Sequence, residues 1–208
     1  MRAQMPAVTD GEDLLESIEP PSARLLLQCA LEKFSQAGYH ATTTRDICAA
    51  ASMSPAALYV YYPSKEDMLF ALSRIAHFAA LETATRSLAS AEDPFDRVHA
   101  LILSYTSWHL GHVDLARIAQ YELRSLSPTH YREIVALRRK TERLFESEIK
   151  AGVVSGDFEV EDVRGATFAV LALGIDVIRW YRGTSSAKTI AKRTAAMAMR
   201  MLRVPQSV

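Results

Sequence analysis

The sequence has little cysteine and no long apolar run, and each shortage argues against a class of protein. Cys29 and Cys48 are the only cysteines in 208 residues and lack metal-ligand spacing, so we expect two buried thiols rather than a disulfide scaffold or a zinc domain. No apolar stretch approaches the roughly 20 residues that span a bilayer, and the N-terminus does not resemble a secretory signal. We therefore predict a soluble, cytoplasmic protein.

An excess of charge of one sign is also missing, since 24 basic residues balance 24 acidic ones. This balance argues against a protein that coats DNA without sequence preference, because such binding depends on many cationic contacts to phosphates. Residues 22–70 are also neutral, whereas residues 1–21 carry five acidic residues and one basic residue. Because residues 1–21 contain prolines and no apolar run, we predict that they form a flexible acidic arm.

Common enzyme motifs are absent as well, including a Gly-rich phosphate loop, a serine elbow and a His–Glu metalloprotease motif. His109, His112 and Asp114 are close in sequence and could hold a metal ion. Gly111 is expected to end the helix between the two histidines, and no further ligand follows at a recognisable spacing. We expect no catalytic residue, no metal and no cofactor. The alternative is a helical enzyme or metal-binding protein without a DNA role.

The patterning that is present is helical along the chain. Apolar residues recur at helical spacing, for example at Val98, Leu101 and Tyr105, and no run alternates in the manner of a strand. We predict an all-α fold in which a three-helix head, residues 22–68, precedes a larger helical domain, residues 69–208.

Residues 42–69 have the pattern of a helix, a four-residue turn, a second short helix and the start of a third. Thr43 or Thr44 can cap the first helix, and Asp46 lies near its positive end. Ser54 can cap the second helix, and the proline after it takes the first helical position, where its missing N–H costs nothing. This is the pattern of a helix-turn-helix, whose second helix enters the DNA major groove.

The second helix of this motif is predicted to bury Leu58 and to turn small residues and tyrosines outward: Ala56, Ala57, Tyr59 and Tyr61. Small residues let the backbone approach base edges, and phenolic hydroxyls reach phosphates or bases. The alternative is a three-helix bundle without a nucleic-acid role, which the hydrophobic pattern alone allows. Tyr59, Tyr61 and Lys65 argue against it, because packing is not expected to require them.

The motif and the residues before it resemble the TetR family of bacterial transcriptional regulators. The match extends back through a preceding helix and its closing turn: Arg24, Leu26, Leu27, Ala30, Leu31, Phe34, Gly38 and Tyr39. Ser52 stands where the family usually has a turn glycine, so a positive φ there would strain the backbone. The resemblance implies DNA contacts by nine residues: Thr42, Thr44, Arg45, Ser54, Pro55, Ala56, Tyr59, Tyr61 and Lys65.

The last two predicted helices, within residues 160–181 and 187–202, carry small and apolar residues on wide faces, and Gly152 and Gly156 are expected to mark the loop before them. Such faces either close the core of one chain or dock against a second copy in a four-helix bundle. The family resemblance implies that these helices form a dimerisation surface. We expect a homodimer that places two recognition helices about one DNA turn apart on a palindromic operator.

Aromatic and basic residues are mixed in the middle helices, which suits a pocket for an apolar ligand with an anionic head group. Most of the charges also have a simpler interpretation as a solvated helix face. The family resemblance implies a ligand site, for which the candidates are Trp108, Tyr121, Arg124, Phe145, Phe168, Arg179 and Trp180.

Residues 123–137 and 178–182 also resemble a subgroup of TetR regulators that control fatty-acid or steroid breakdown and respond to acyl-CoA thioesters. This resemblance implies an acyl-CoA, or another amphipathic hydrophobic acid, as the effector; a drug-like or aromatic hydrophobe is the alternative. The function that we predict is therefore a repressor that leaves a palindromic operator when a small hydrophobic or amphipathic ligand binds.

Overall fold

A computed structural model describes residues 14–202, in which α-helices are the main element and no β-strand occurs. The helices are α1 (Pro21–Ala37), α2 (Thr44–Ala50), α3 (Pro55–Tyr61), α4 (Lys65–Ser87), α5 (Pro94–Gly111), α6 (Val113–Tyr121), α7 (Pro128–Ser155), α8 (Val163–Trp180) and α9 (Ala187–Leu202). One-turn 3₁₀ helices follow α4 and α6, at Leu88–Ser90 and Leu123–Ser125. The predicted all-α fold is confirmed. Among the residues described, no helix combines the length and the apolar character that a membrane span needs.

The described chain divides into two compact units. The first unit contains residues 14–79 and 114–135, and the second contains residues 80–113 and 136–202. Helices α4 and α7 each contribute their first part to the first unit and the remainder to the second.

Most of the predicted acidic arm, residues 1–13, lies outside the described residues. Leu15, in the part that is described, is buried. The flexibility of the arm stays a prediction, and so do the domain boundaries at residues 22–68 and 69–208.

Helices α1 to α4 close around an apolar core in the first unit. Its fully buried side chains include Leu26, Leu27, Ile47, Leu58, Met68, Leu69 and Leu72. Each such side chain contributes about 1.5–3 kcal/mol by leaving water. Cys29 and Cys48 are free and buried, as predicted, and burial raises the pKa of both thiols.

In the second unit, α5 packs against α8 and α9. Helix α7 is bonded to α5, because Arg97 Nε of α5 donates to a Glu148 carboxylate oxygen of α7 at 2.7 Å. The small-residue stripe of α9 is buried in this chain's own core: Ala191, Ala195, Ala198, Met199 and Leu202. Other apolar side chains of the last two helices are exposed, namely Phe168 and Trp180 on α8 and Met197 and Met201 on α9.

Candidate nucleic-acid interface

A capping box fixes the start of α2. The Thr43 hydroxyl oxygen accepts from the Asp46 N–H at 3.2 Å, and Asp46 Oδ2 accepts from the Thr43 N–H at 2.8 Å and from its hydroxyl at 2.7 Å. These bonds satisfy backbone donors that a helix start otherwise leaves open. Hydrogen bonds from the Thr43 hydroxyl and N–H lower the pKa of Asp46. The predicted cap is confirmed.

The turn between α2 and α3 contains a strained residue. Ser52 has a φ of 53°, and the next residue, Met53, donates its N–H to the Cys48 carbonyl at 2.9 Å. A left-handed conformation is unfavourable for a residue with a Cβ, so the strain predicted at Ser52 is present. Ser54 then caps α3 by accepting from the Ala57 N–H at 3.2 Å, and Pro55 is the first helical residue.

One face of α3 is anchored and the opposite face is open. Leu58 is fully buried, and the Tyr62 hydroxyl, just beyond the helix, donates to the Ala23 carbonyl of α1 at 3.1 Å. Burial raises the pKa of that phenol. At about 100° per residue, Ala56 and Val60 lie roughly 160° and 200° around the helix from Leu58. Val60 is 76% exposed and Tyr59 is 52% exposed.

Besides Ser54, two of the predicted DNA contacts have intramolecular partners. The Lys65 ammonium donates to the carbonyls of Tyr39 and Thr42, each at 2.7 Å, and lies 4.2 Å from the centre of the Tyr39 ring. Burial lowers the pKa of Lys65. Packing does require this side chain, contrary to the prediction, because it ties the start of α4 to the turn after α1. Thr42 is buried, and its hydroxyl donates to the Gly38 carbonyl at 2.8 Å.

The remaining candidates lie at the surface of the motif. Thr44 and Tyr61 are partly buried, and the exposed candidates are Arg45, Ser54, Pro55, Ala56 and Tyr59. Val60 was not among the candidates, although its helical spacing from Leu58 places it on the outward face. Contact of any of these residues with DNA stays a prediction.

A polar cluster joins α4 to the start of α7 within the first unit. A Glu66 carboxylate oxygen accepts from the Ser127 N–H at 2.6 Å and from His130 Nδ1 at 2.9 Å. The His130 ring stacks on Phe70 with 3.8 Å between ring centres. Glu66, Asp67 and His130 place possible metal-ligand atoms within 4.8 Å of one another. Because Glu66 and His130 bind each other, we interpret the cluster as a helix contact.

The histidines considered for a metal site have backbone partners. His109 Nδ1 donates to the Tyr105 carbonyl at 2.8 Å, and His112 Nδ1 donates to the Trp108 carbonyl at 2.9 Å. Each Nδ1 atom is bonded to a carbonyl of its own helix and is therefore not free to bind a metal ion.

The candidate ligand residues Trp108 and Phe145 lie in one buried aromatic cluster of the second unit. Ring centres are 5.3 Å apart for Tyr105 and Phe145, 4.4 Å for Tyr105 and His109, and 5.1 Å for His109 and Trp108. The Trp108 indole N–H and the Thr106 hydroxyl, which lie on roughly opposite sides of α5, are buried and have no hydrogen-bond partner among the residues described.

The other candidate ligand residues lie elsewhere. Tyr121 and Arg124 are exposed in the first unit, and Phe168 and Trp180 are exposed on α8. Arg179 is also exposed, and its Nε donates to Asp176 at 2.9 Å. The seven candidates therefore form no single cluster within either unit.

These local structures together define a helix-turn-helix DNA-binding protein. The first helix is capped, the turn is short, and the second helix is fixed through one face while its other face is open. A recognition helix needs this arrangement, because its outward side chains must reach base edges while its inward side chains stay packed in the core.

Comparison with known protein families identifies the family. Residues 26–72 match the family described as "Bacterial regulatory proteins, tetR family", and residues 91–202 match "Tetracyclin repressor-like, C-terminal domain". The second match alone covers more than half of the chain. The chain belongs to the TetR family and is a DNA-binding transcriptional regulator.

Individual relatives agree with this assignment. A regulatory protein of the TetR family from Rhodococcus RHA1 is 38% identical, with a TM-score of 0.86 over 90% of this chain and 100% of that one. The HTH-type transcriptional repressor KstR2 of Rhodococcus jostii is 28% identical over 187 residues, 88% of this chain and 91% of that protein. AibR, solved in complex with isovaleryl coenzyme A and operator DNA, is 22% identical, with a TM-score of 0.76 over 85% of this chain and 97% of that one.

Proposed function

We propose that this regulator is a repressor that binds a palindromic operator as a homodimer and leaves it when a small hydrophobic or amphipathic ligand binds. The proposal rests chiefly on the outward face of α3, where Ala56, Tyr59 and Val60 are exposed and have no role in the core. An operator-binding protein acts where the chromosome is, so the proposal includes a cytoplasmic location.

The exposed apolar residues of the last two helices support the homodimer. Phe168, Trp180, Met197 and Met201 are all about half exposed. Apolar and aromatic groups of this kind are typical of surfaces that a partner covers. The second copy would place a second α3 on the other half of the palindrome.

An acyl-CoA is our first candidate for the ligand. The resemblance of residues 123–137 and 178–182 to acyl-CoA-responsive regulators favours it, whereas the likeness to AibR supports the fold alone. Buried polar groups normally have hydrogen-bond partners, so the unpartnered Trp108 N–H in the aromatic cluster suits a ligand with a carbonyl acceptor. A drug-like or aromatic hydrophobe is the alternative.

The ligand must bind the DNA-free state better than the DNA-bound state, because equal affinity shifts no equilibrium. We assign the coupling between ligand and DNA to α4, which is continuous from Lys65 to Ser87.

Selection of genomic DNA fragments by the purified protein, followed by sequencing, tests this function. We expect one enriched palindrome with half-sites about one helical turn apart, which palmitoyl-CoA releases. Absence of an enriched site would overturn the proposal that this protein is a repressor. An enriched site that palmitoyl-CoA leaves bound would overturn the acyl-CoA effector and retain the DNA-binding function.

Tyr59→Ala tests the position of the recognition helix. Loss of one base or phosphate contact should weaken operator binding by roughly tenfold or more, in line with the 1–3 kcal/mol of a specific contact. The midpoint of thermal unfolding should stay unchanged, because Tyr59 is exposed. Tyr131→Ala, at an exposed tyrosine on α7, is the matched control. Equal operator affinity for both variants would contradict this position.

Trp108→Phe tests the ligand site, and Thr106→Val, on the opposite side of α5, is its control. Both substitutions remove an unpartnered polar group and keep most of the side-chain volume, so we expect operator affinity without ligand to be retained. The palmitoyl-CoA concentration that half-releases the operator should rise at least severalfold in Trp108→Phe and stay unchanged in Thr106→Val. An unchanged value in Trp108→Phe would exclude the indole N–H as a ligand contact.

A further inference from the structure

The recognition helix contains few of the side chains that usually read bases. Pro55–Tyr61 has the sequence PAALYVY, without Arg, Lys, Asn, Gln, Asp or Glu. Bidentate reading of guanine by Arg or Lys, and of adenine by Asn or Gln, is therefore unavailable to α3. The helix must discriminate bases mainly through apolar contacts and tyrosine hydroxyls.

Val60 is the most exposed of the large apolar residues on this helix, at 76%. It lies opposite the buried Leu58, so packing of the first unit does not account for it. Ala56, four residues earlier on the same stripe, is exposed and small, which leaves room for a base pair to approach. The Tyr62 hydroxyl bond to the Ala23 carbonyl fixes the rotation of the helix, so Val60 keeps its outward direction.

One base offers an apolar group to such a side chain in the major groove. Thymine carries a 5-methyl group at its major-groove edge, and apolar side chains contact it, whereas guanine, cytosine and adenine carry no methyl group there. Valine is apolar, and its own methyl groups can make this contact.

We propose that Val60 reads the methyl group of one thymine in each operator half-site. This inference rests on the proposed function, in which α3 lies in the major groove of an operator. Removal of the methyl group of one such thymine should weaken binding about three- to fourfold, the effect expected for one methyl group returned to water.

Replacement of thymine by deoxyuracil, one position at a time in the selected operator, provides the test. Deoxyuracil lacks only the 5-methyl group and keeps the base pair. For the wild-type protein, we expect one thymine per half-site at which the replacement weakens binding about three- to fourfold. In Val60→Ala this dependence should disappear at that thymine, while the response at every other thymine stays as in the wild type.

Tyr59→Phe is the control for the neighbouring outward residue, and it should leave the dependence at the Val60 thymine unchanged. Thermal unfolding of Val60→Ala, which should match the wild type, verifies that the variant is folded.

The outcomes separate this inference from the proposed function. Val60 does not read the thymine methyl group if Val60→Ala shows the same affinity loss at every deoxyuracil as the wild type. The same conclusion follows if Tyr59→Phe, and not Val60→Ala, loses the sensitivity to deoxyuracil. A wild-type protein that binds the operator and responds to no replacement would also overturn the inference. If no operator is selected, the proposed function is overturned as well. This outcome is recognised separately, because operator selection precedes any replacement of thymine.

Discussion

Ser52 is strained because it adopts a φ of 53°, a conformation that costs a residue with a Cβ about 1–2 kcal/mol. Ser52→Gly should raise the free energy of unfolding by about 0.5–1 kcal/mol, since the relief of strain exceeds the greater chain entropy of unfolded glycine. Urea unfolding monitored by circular dichroism measures the change. Ser52→Ala keeps the Cβ and should show no gain. A glycine variant that is less stable than the alanine variant would contradict this account of the turn.

Single residues differ in how far their roles can be predicted from sequence. The caps at Thr43 and Ser54 were predictable because cap and capped backbone are three residues apart. Lys65 was misjudged because its partners, the carbonyls of Tyr39 and Thr42, are distant in sequence. Val60 is absent from the predicted contacts, although its helical spacing from Leu58 places it on the outward face.

At the scale of one helix, the Thr43–Asp46 capping box should give α2 a dependence on pH. Because the pKa of Asp46 is lowered in the folded state, its contribution to stability is present above the ordinary carboxyl range, near pH 3.9, and is lost as the pH falls through the lowered value. Thr43→Ala should move the pKa of Asp46 up toward that range. NMR titration of the Asp46 carboxyl carbon measures this.

Thr44→Ala is the matched control for that titration, because Thr44 is adjacent and does not take part in the capping box. It should leave the Asp46 titration as in the wild type. An equal midpoint in Thr43→Ala and the wild type would show that the capping box does not cause the shift.

The end of α7 depends on a glycine that was predicted to lie in a loop. A Cβ at Gly152 would overlap the ring of the buried Phe158. Gly152→Ala should therefore lower the free energy of unfolding by about 1–3 kcal/mol, the usual cost of overpacking. Gly111→Ala is the control, because its Cβ would have no neighbour within 4 Å. Chemical unfolding of both variants tests the difference, and equal stabilities would contradict it.

Helix starts and helix ends thus differ in predictability. The starts of α2 and α3 were close to their predicted positions because the capping side chains and Pro55 mark them locally. The end of α7 was placed too early because Gly152 is required by contact with Phe158 and not by a turn. The candidate ligand residues follow from residue type and the family resemblance, and neither can tell buried Trp108 from exposed Trp180.

At the scale of the whole molecule, the proposed homodimer can be tested at exposed methionines. The double substitution Met197→Glu and Met201→Glu places charges on the exposed face of α9, where a second copy would have to bury them without partners. We expect a monomer in sedimentation equilibrium and a loss of operator affinity of at least a hundredfold, because one half-site alone then supplies the contacts.

Val154→Glu is the control, since Val154 is an exposed apolar residue on α7 of the same unit. It should remain dimeric and bind the operator normally. A double variant that sediments with the same mass as the wild type would place the dimer interface elsewhere.

The neutral head predicts a weak dependence of operator binding on salt. Residues 22–70 carry equal numbers of acidic and basic residues, and the Lys65 ammonium is already bound to two carbonyls. The slope of log affinity against log salt should therefore stay below about 6 in magnitude. Fluorescence anisotropy at several salt concentrations measures it, and a slope near 10 would require cationic contacts from outside this head.

The division of α3 into an anchored face and an open face also bears on how such regulators diverge after gene duplication. Leu58 and Tyr62 hold the helix, whereas Ala56, Tyr59 and Val60 are free of the core. Exposed positions usually change stability by less than about 0.5 kcal/mol when substituted. A duplicated copy could therefore acquire a new operator through substitutions at these positions alone, without first accumulating compensating changes elsewhere in the chain.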